Sequence, residues 1–166
     1  SLKENFISVF PKELSNLQNL THLNLDSNNL TDVASIEKCI SLSIVHISFN
    51  DINELPKSID KLENIKVLYL NNNKLVNLPK KFGDLAKLQY CVINNNQLES
   101  LPKSFENLSN LIWLYANDNA LKSVPFKISN LPNLEVLTLS NNKLLNLSTS
   151  FFYDIKKLKK VYLDKE

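Results

Sequence analysis

A chain of 166 residues with 43% apolar and 22% charged side chains has the composition of one folded domain, neither disordered nor membrane-inserted. No stretch approaches the roughly 20 consecutive apolar residues of a spanning helix, and the opening residues do not read as a basic region, apolar core and cleavage site. The formal charge of +2 sets 19 cations, all of them Lys, against 17 acids, too weak a balance for nucleic acid, and with no Arg the chain lacks the fork suited to phosphates and base edges.

Leu2, Asn5 and Ile7 open the chain as the tail of a motif that then recurs in full: Leu20, Leu23, Leu25, Asn28, Leu30. The spacing is Leu-x-x-Leu-x-Leu-x-x-Asn-x-Leu, the mark of a repeat architecture. It returns as Leu42, Val45, Ile47, Asn50, Ile52 and as Ile65, Leu68, Leu70, Asn73, Leu75. Further copies are Leu88, Cys91, Ile93, Asn96, Leu98; Leu111, Leu114, Ala116, Asn119, Leu121; and Leu134, Leu137, Leu139, Asn142, Leu144. Successive copies start 22, 23, 23, 23 and 23 residues apart, and Leu158, Val161 and Leu163 begin another after 24. The single domain expected over 1–166 thus holds about six complete repeats with partial ones at both ends.

The ninth-position Asn is present in seven copies, counting Asn5. A strand that turns sharply leaves backbone groups stranded inside the coil, and an amide supplies both the donors and the acceptor they need, where Asp would supply acceptors only. The second half of each copy runs Leu-Pro-x-x-Ile/Phe-x-x-Leu, as in Leu55, Pro56, Ile59 and Leu62. Apolar spacing of three to four after a Pro predicts a short helix or helical turn with one buried face. Lys12, Lys57, Lys80 and Lys103 then fall on a solvated convex side. Two copies are irregular. Val33 to Leu42 lacks the Pro and is one residue short, and Leu147 to Leu158 is one residue long, with Phe151 and Phe152.

Cys39 and Cys91 both fall on core positions, two repeats apart, beyond the ~7 Å Cα separation a disulfide tolerates. Free buried thiols fit a reducing compartment, so a cytoplasmic setting is favoured. The sequons at Asn19, Asn29, Asn107 and Asn146 are no more than chance supplies at this Asn and Ser/Thr content. Met is absent, so the sequence reads as a fragment, with more repeats expected on both sides.

These motifs resemble the leucine-rich-repeat family, and the Leu-Pro-x-x-Ile/Phe copies are similar to those of Ras-suppressor and Scribble-type scaffolds, plant intracellular repeat proteins and bacterial repeat proteins. The resemblance covers Leu2 to Leu163. It implies an α/β fold: a curved right-handed solenoid with a parallel sheet on the concave face and short helices or turns outside. It also implies protein or peptide partners, with enzymatic activity, where it exists, carried by another domain. The fold follows from the pattern as well, because one copy cannot bury its apolar residues and stacked copies can.

Positions four and six of the motif point inward, so three, five and seven face the concave side. Position three reads His22, Ile44, Val67, Tyr90, Trp113, Val136, Lys160, and position five reads Asn24, His46, Tyr69, Val92, Tyr115, Thr138, Tyr162. Asp26, Ser48, Asn71, Asn94, Asn117 and Ser140 at position seven offer short polar groups beside this stripe. Trp and Tyr bury much area with few rotors to freeze. The candidate partner-binding residues are therefore His46, Phe49, Tyr69, Tyr90, Val92, Trp113, Tyr115 and Asn117. The bland alternative is that such residues merely pack along the sheet.

The best catalytic constellation, His46, Ser48 and Asp26, lacks a nucleophile elbow and an oxyanion hole, so no enzyme is expected. His22 and His46 make a poor metal pair. Gly83 is the only glycine, so phosphate-cradling loops are excluded and no cofactor is expected. The leading reading is a non-enzymatic interaction module binding a protein or peptide. The alternative is a recruitment arm of a larger enzyme or bacterial effector whose activity lies elsewhere.

Overall fold

The computed structural model describes residues 1–125, 128, 131–145 and 155–163. Within them the motif becomes seven three-residue strands: β1 (His22–Asn24), β2 (Ile44–His46), β3 (Val67–Tyr69), β4 (Tyr90–Val92), β5 (Trp113–Tyr115), β6 (Val136–Thr138) and β7 (Lys160–Tyr162). They form one parallel sheet in chain order, with third position beside third and fifth beside fifth throughout. The chain is a solenoid, one strand per coil.

Among the described residues five coils cross their outer side through a 3₁₀ turn: η1 (Lys12–Asn16), η2 (Ala34–Lys38), η3 (Ile59–Lys61), η4 (Phe82–Asp84) and η5 (Lys103–Asn107). Four Pro carbonyls close these turns, Pro11, Pro56, Pro79 and Pro102 each accepting the N–H three residues on. The copy without Pro makes the same turn, Val33 accepting from Ile36 at 2.9 Å. Ring pre-organisation therefore helps but is dispensable. Lys12, Lys57, Lys80 and Lys103 are exposed and enter no ion pair among the described residues. The lengthened segment Leu147 to Leu158, including Phe151 and Phe152, falls largely outside the described residues.

The inward positions form a continuous core. Leu25, Val45, Leu70, Ile93, Leu114 and Leu139 are wholly buried, and Phe82 and Phe105 stack behind them with ring centroids 5.4 Å apart and planes 2° from parallel. Cys39 and Cys91 are both buried free thiols, and burial pushes the Cys91 thiol up to about 12.

The ladder asparagines close each coil onto the one before it. Asn73 Oδ1 accepts the Ile52 N–H at 3.0 Å, while its Nδ2 donates to the carbonyls of Ile47 and Leu70, each at 3.0 Å. The same acceptor and cross-coil donor bonds recur at Asn28, Asn50, Asn96, Asn119 and Asn142. A second polar row, which the sequence pattern does not reveal, runs along the opposite flank. Asn64, Asn110 and Asn133 donate through Nδ2 to the carbonyls of Ile40, Ala86 and Ser109 in the previous coil.

Gly83 sits at a close approach between coils. A Cβ there would lie 1.7 Å from the Ser104 carbonyl oxygen, and the Gly83 N–H donates to Ser104 Oγ at 3.1 Å. Gly83→Ala is expected to destabilise the fold by about 2–3 kcal/mol, the scale of overpacking at backbone, read as a lower urea midpoint by circular dichroism. Asn73→Ala strands three buried backbone partners and is expected to cost about 3 kcal/mol in the same measurement, with Asn73→Asp no better because it lacks the donors.

Candidate functional site

Alternation about the buried fourth and sixth positions leaves two rows of side chains on the concave face. In the fifth-position row His46, Tyr69, Val92 and Tyr115 stand side by side in register, and in the third-position row Ile44, Val67, Tyr90 and Trp113 do the same. His46 and Tyr69 stack, with centroids 4.5 Å apart and planes 14° from parallel. Trp113 meets Tyr90 edge to face at 4.8 Å and Tyr115 at 6.2 Å. Trp113 is 38% exposed and the other members of both rows are half-buried. Six of the eight candidates thus share one surface, while Phe49 and Asn117 lie where the chain leaves β2 and β5.

Two outward positions depart from the expected surface. Val136 and Thr138 are buried, at 7% and 2% exposure. They lie in register between Trp113 and Tyr115 on one side and Lys160 and Tyr162 on the other, so short side chains are flanked by long ones.

The seventh position also differs from its reading as a row of free polar groups. At the strand exit the next coil's seventh-position N–H lies within reach, and the side-chain oxygen takes it. Asp26 Oδ1 accepts from the Ser48 N–H at 2.7 Å, Asn94 Oδ1 from Asn117 at 2.7 Å, and Asn117 Oδ1 from Ser140 at 2.9 Å. The Ser48 hydroxyl donates to Asn71 Oδ1 at 2.7 Å. His46 Nδ1 stands 3.7 Å from Asp26 Oδ2. With its hydroxyl committed to Asn71, the buried Ser48 is not aligned with His46 as a nucleophile with its base would be. Among the described residues no group of three or more His, Cys, Asp or Glu is arranged to hold a metal.

Where each strand turns away, the eighth residue takes a left-handed conformation. Ser27, Phe49, Asn72, Asn95, Asp118 and Asn141 have φ between 52° and 56°. Asn, Asp and Ser suit this region because short polar side chains tolerate it. Phe49 is the outlier, with φ 55° and 56% exposure, so its strain is not offset by burial of the ring.

A family model described as "Leucine-rich repeat region" matches residues 57–162, and a second, "Leucine Rich Repeat", matches residues 19–39. The chain belongs to the leucine-rich-repeat family. Leucine-rich-repeat domains serve in general as interaction modules for proteins and are typically not enzymes. Among solved structures the chain is similar to a leucine-rich-repeat protein of Leptospira interrogans, with 29% identity and a TM-score of 0.70 over 98% of this chain and 49% of that one. It is also similar to an internalin of Listeria monocytogenes, with 22% identity and a TM-score of 0.82 over 99% of this chain and 47% of that one. A third similar structure is the ectodomain of the Arabidopsis thaliana plant membrane receptor kinase GASSHO1/SCHENGEN3, in complex with CASPARIAN STRIP INTEGRITY FACTOR 2. There the identity is 34% and the TM-score 0.74, over 81% of this chain and 17% of that one. This leucine-rich-repeat chain therefore spans about half the length of the first two. Among curated proteins no match is found.

Replacing the strained Phe49 by the residue type favoured at its position gives a direct check on the outlier. Phe49→Asn is expected to stabilise the fold by about 1 kcal/mol, read as a raised urea midpoint.

Proposed function

We propose that this chain is a non-enzymatic binding module that holds a protein or peptide on the concave face of β2–β5. The contacts are made by His46, Phe49, Tyr69, Tyr90, Val92, Trp113, Tyr115 and Asn117. The observation that carries the reading is the pair of aromatic and aliphatic rows running unbroken across four strands, with Trp113 at the most exposed point. Rigid amphipathic rings on a preformed sheet supply contact area at little entropic cost, which is the chemistry of an interface hot spot.

Phe49 supports the same reading. A bulky apolar side chain kept in a left-handed turn and left in solvent costs stability, and a partner that covers the ring offsets that cost. The receptor-kinase ectodomain, an architectural relative, is itself complexed with a ligand named as a factor. A second reading, a recruitment arm within a larger protein, is favoured by one observation, that the chain matches only 49% and 47% of the two bacterial structures.

The test is capture of partners from a lysate by the wild-type domain and by a Trp113→Ala/Tyr115→Ala variant whose fold is checked by circular dichroism. Recovery is expected to fall at least ~10-fold, the loss of one hot-spot contact or more. Unchanged recovery by the folded variant would falsify the assignment of this face.

A further inference from the structure

The two rows hold two aromatic foci. One is the His46–Tyr69 stack, which bridges β2 and β3 at the fifth position. The other is Trp113 at the third position of β5, braced edge to face by Tyr90 and Tyr115. The foci are two and a half strand intervals apart, about 12 Å, and offset by one two-residue step along the strands, about 7 Å, so the diagonal is about 14 Å. An extended chain rises about 3.4 Å per residue and alternates its side chains, so residues i and i+4 reach both foci from one side. Residues i+3 and i+5 point the other way.

The surface between the foci carries no formal charge. No third-, fifth- or seventh-position residue of β2–β5 is Lys, Asp or Glu, although 22% of the chain is charged. At these motif positions the nearest charges are Asp26, in the coil of β1 and 3.7 Å from His46, and Lys160, in β7. A charged side chain laid over the rows between the foci would lose hydration and meet no counter-charge at the third, fifth or seventh positions of β2–β5.

A third feature specifies a polypeptide. Asn71, Asn94 and Asn117 each have the side-chain oxygen tied by an inter-coil hydrogen bond, to Ser48 Oγ, Asn117 N and Ser140 N. A backbone N–H can only donate, so it fixes which side of the Asn94 and Asn117 amides is the oxygen, whereas the Ser48 hydroxyl can also accept and leaves Asn71 unassigned. The Nδ2 groups of Asn94 and Asn117 have no partner among the described residues, so two consecutive coils present oriented N–H donors beside the rows. Backbone carbonyls of an extended ligand are acceptors of that kind.

We propose that the occupant is an extended, uncharged peptide segment that crosses the strands diagonally and seats two apolar side chains four residues apart, one on Trp113 and one on the His46–Tyr69 stack. This rests on the concave-face reading above and adds the spacing and chemistry of its ligand.

Trp113 is the only Trp, so its fluorescence reports binding without a label. The probes are capped serine peptides carrying two leucines at separations of three, four and five residues, titrated against the wild-type domain. The i+4 peptide is expected to bind at least ~10-fold more tightly than the i+3 and i+5 peptides, and Lys or Asp placed between the leucines to weaken it by a similar factor. Tyr69→Ala, checked for folding by circular dichroism, is expected to abolish the preference for i+4. Equal affinity at every separation, a preference for an odd separation, no response to any peptide, or a stronger response to cellohexaose would each overturn the proposal. If spacing dependence is absent while Trp113→Ala/Tyr115→Ala still loses the captured partner, only the two-anchor ligand fails. If capture is also unchanged, the concave-face reading fails with it.

Discussion

Every coil of this solenoid depends on one side-chain amide. When a strand three residues long turns outward, its backbone cannot satisfy itself by the sheet ladder alone, and the apolar side chains of the interior offer no polar partner. The ninth-position Asn resolves this by reaching its neighbour: Asn50, Asn73 and Asn96 each accept an N–H and donate to a carbonyl of the preceding coil, 20 to 26 residues away. The bonds that complete one repeat therefore belong to two. That makes the fold cooperative between neighbours and leaves no single coil a satisfied backbone of its own.

The same constraint builds the candidate site. By fixing where each strand ends, the ladder fixes parity, so the fourth and sixth side chains go inward and the third and fifth stand in rows on the concave face. Alignment of Tyr90 with Trp113 and of His46 with Tyr69 is then a consequence of identical registers rather than of local packing preference. Even the polar edge follows. The seventh-position oxygens close gaps at the strand exits, and that use of the oxygen orients the amide N–H groups of Asn94 and Asn117.

What the sequence reveals and what it hides divide along this line. Periodic features are legible: the ladder Asn, the buried Leu and Ile rows, and the outward placement of Trp113 and Tyr115 all follow from counting residues. Features set by neighbours in space are not. Val136 and Thr138 have outward parity yet are buried, because their burial depends on the coils beside them. The flank row of Asn64, Asn110 and Asn133 is hidden because the equivalent positions are Ser41 and Lys87 in other coils, so no invariant residue marks it. Gly83 looks like a loop glycine in sequence, but its φ is not positive; what requires it is the Ser104 carbonyl. The left-handed eighth position does leave a trace, the recurring Asn or Asp before the ladder Asn, against which Phe49 stands out.

Charge completes the account of why the concave rows are apolar. Lys61–Glu37, Lys81–Asp60 and Lys122–Glu99 each join successive coils off the sheet, with lysines more than half exposed. Pairs in that setting contribute little stability, because water and salt screen them. Such charges keep the surface off the sheet hydrated. On the sheet the coils stand about 4.8 Å apart, so a charge repeated at the third or fifth position would face its own copy across that gap. Stacking favours neutral side chains there, and aromatic ones gain contact with each neighbour in turn. The aromatic identity of those residues, and not their neutrality alone, is what gives the proposed binding face its contact area.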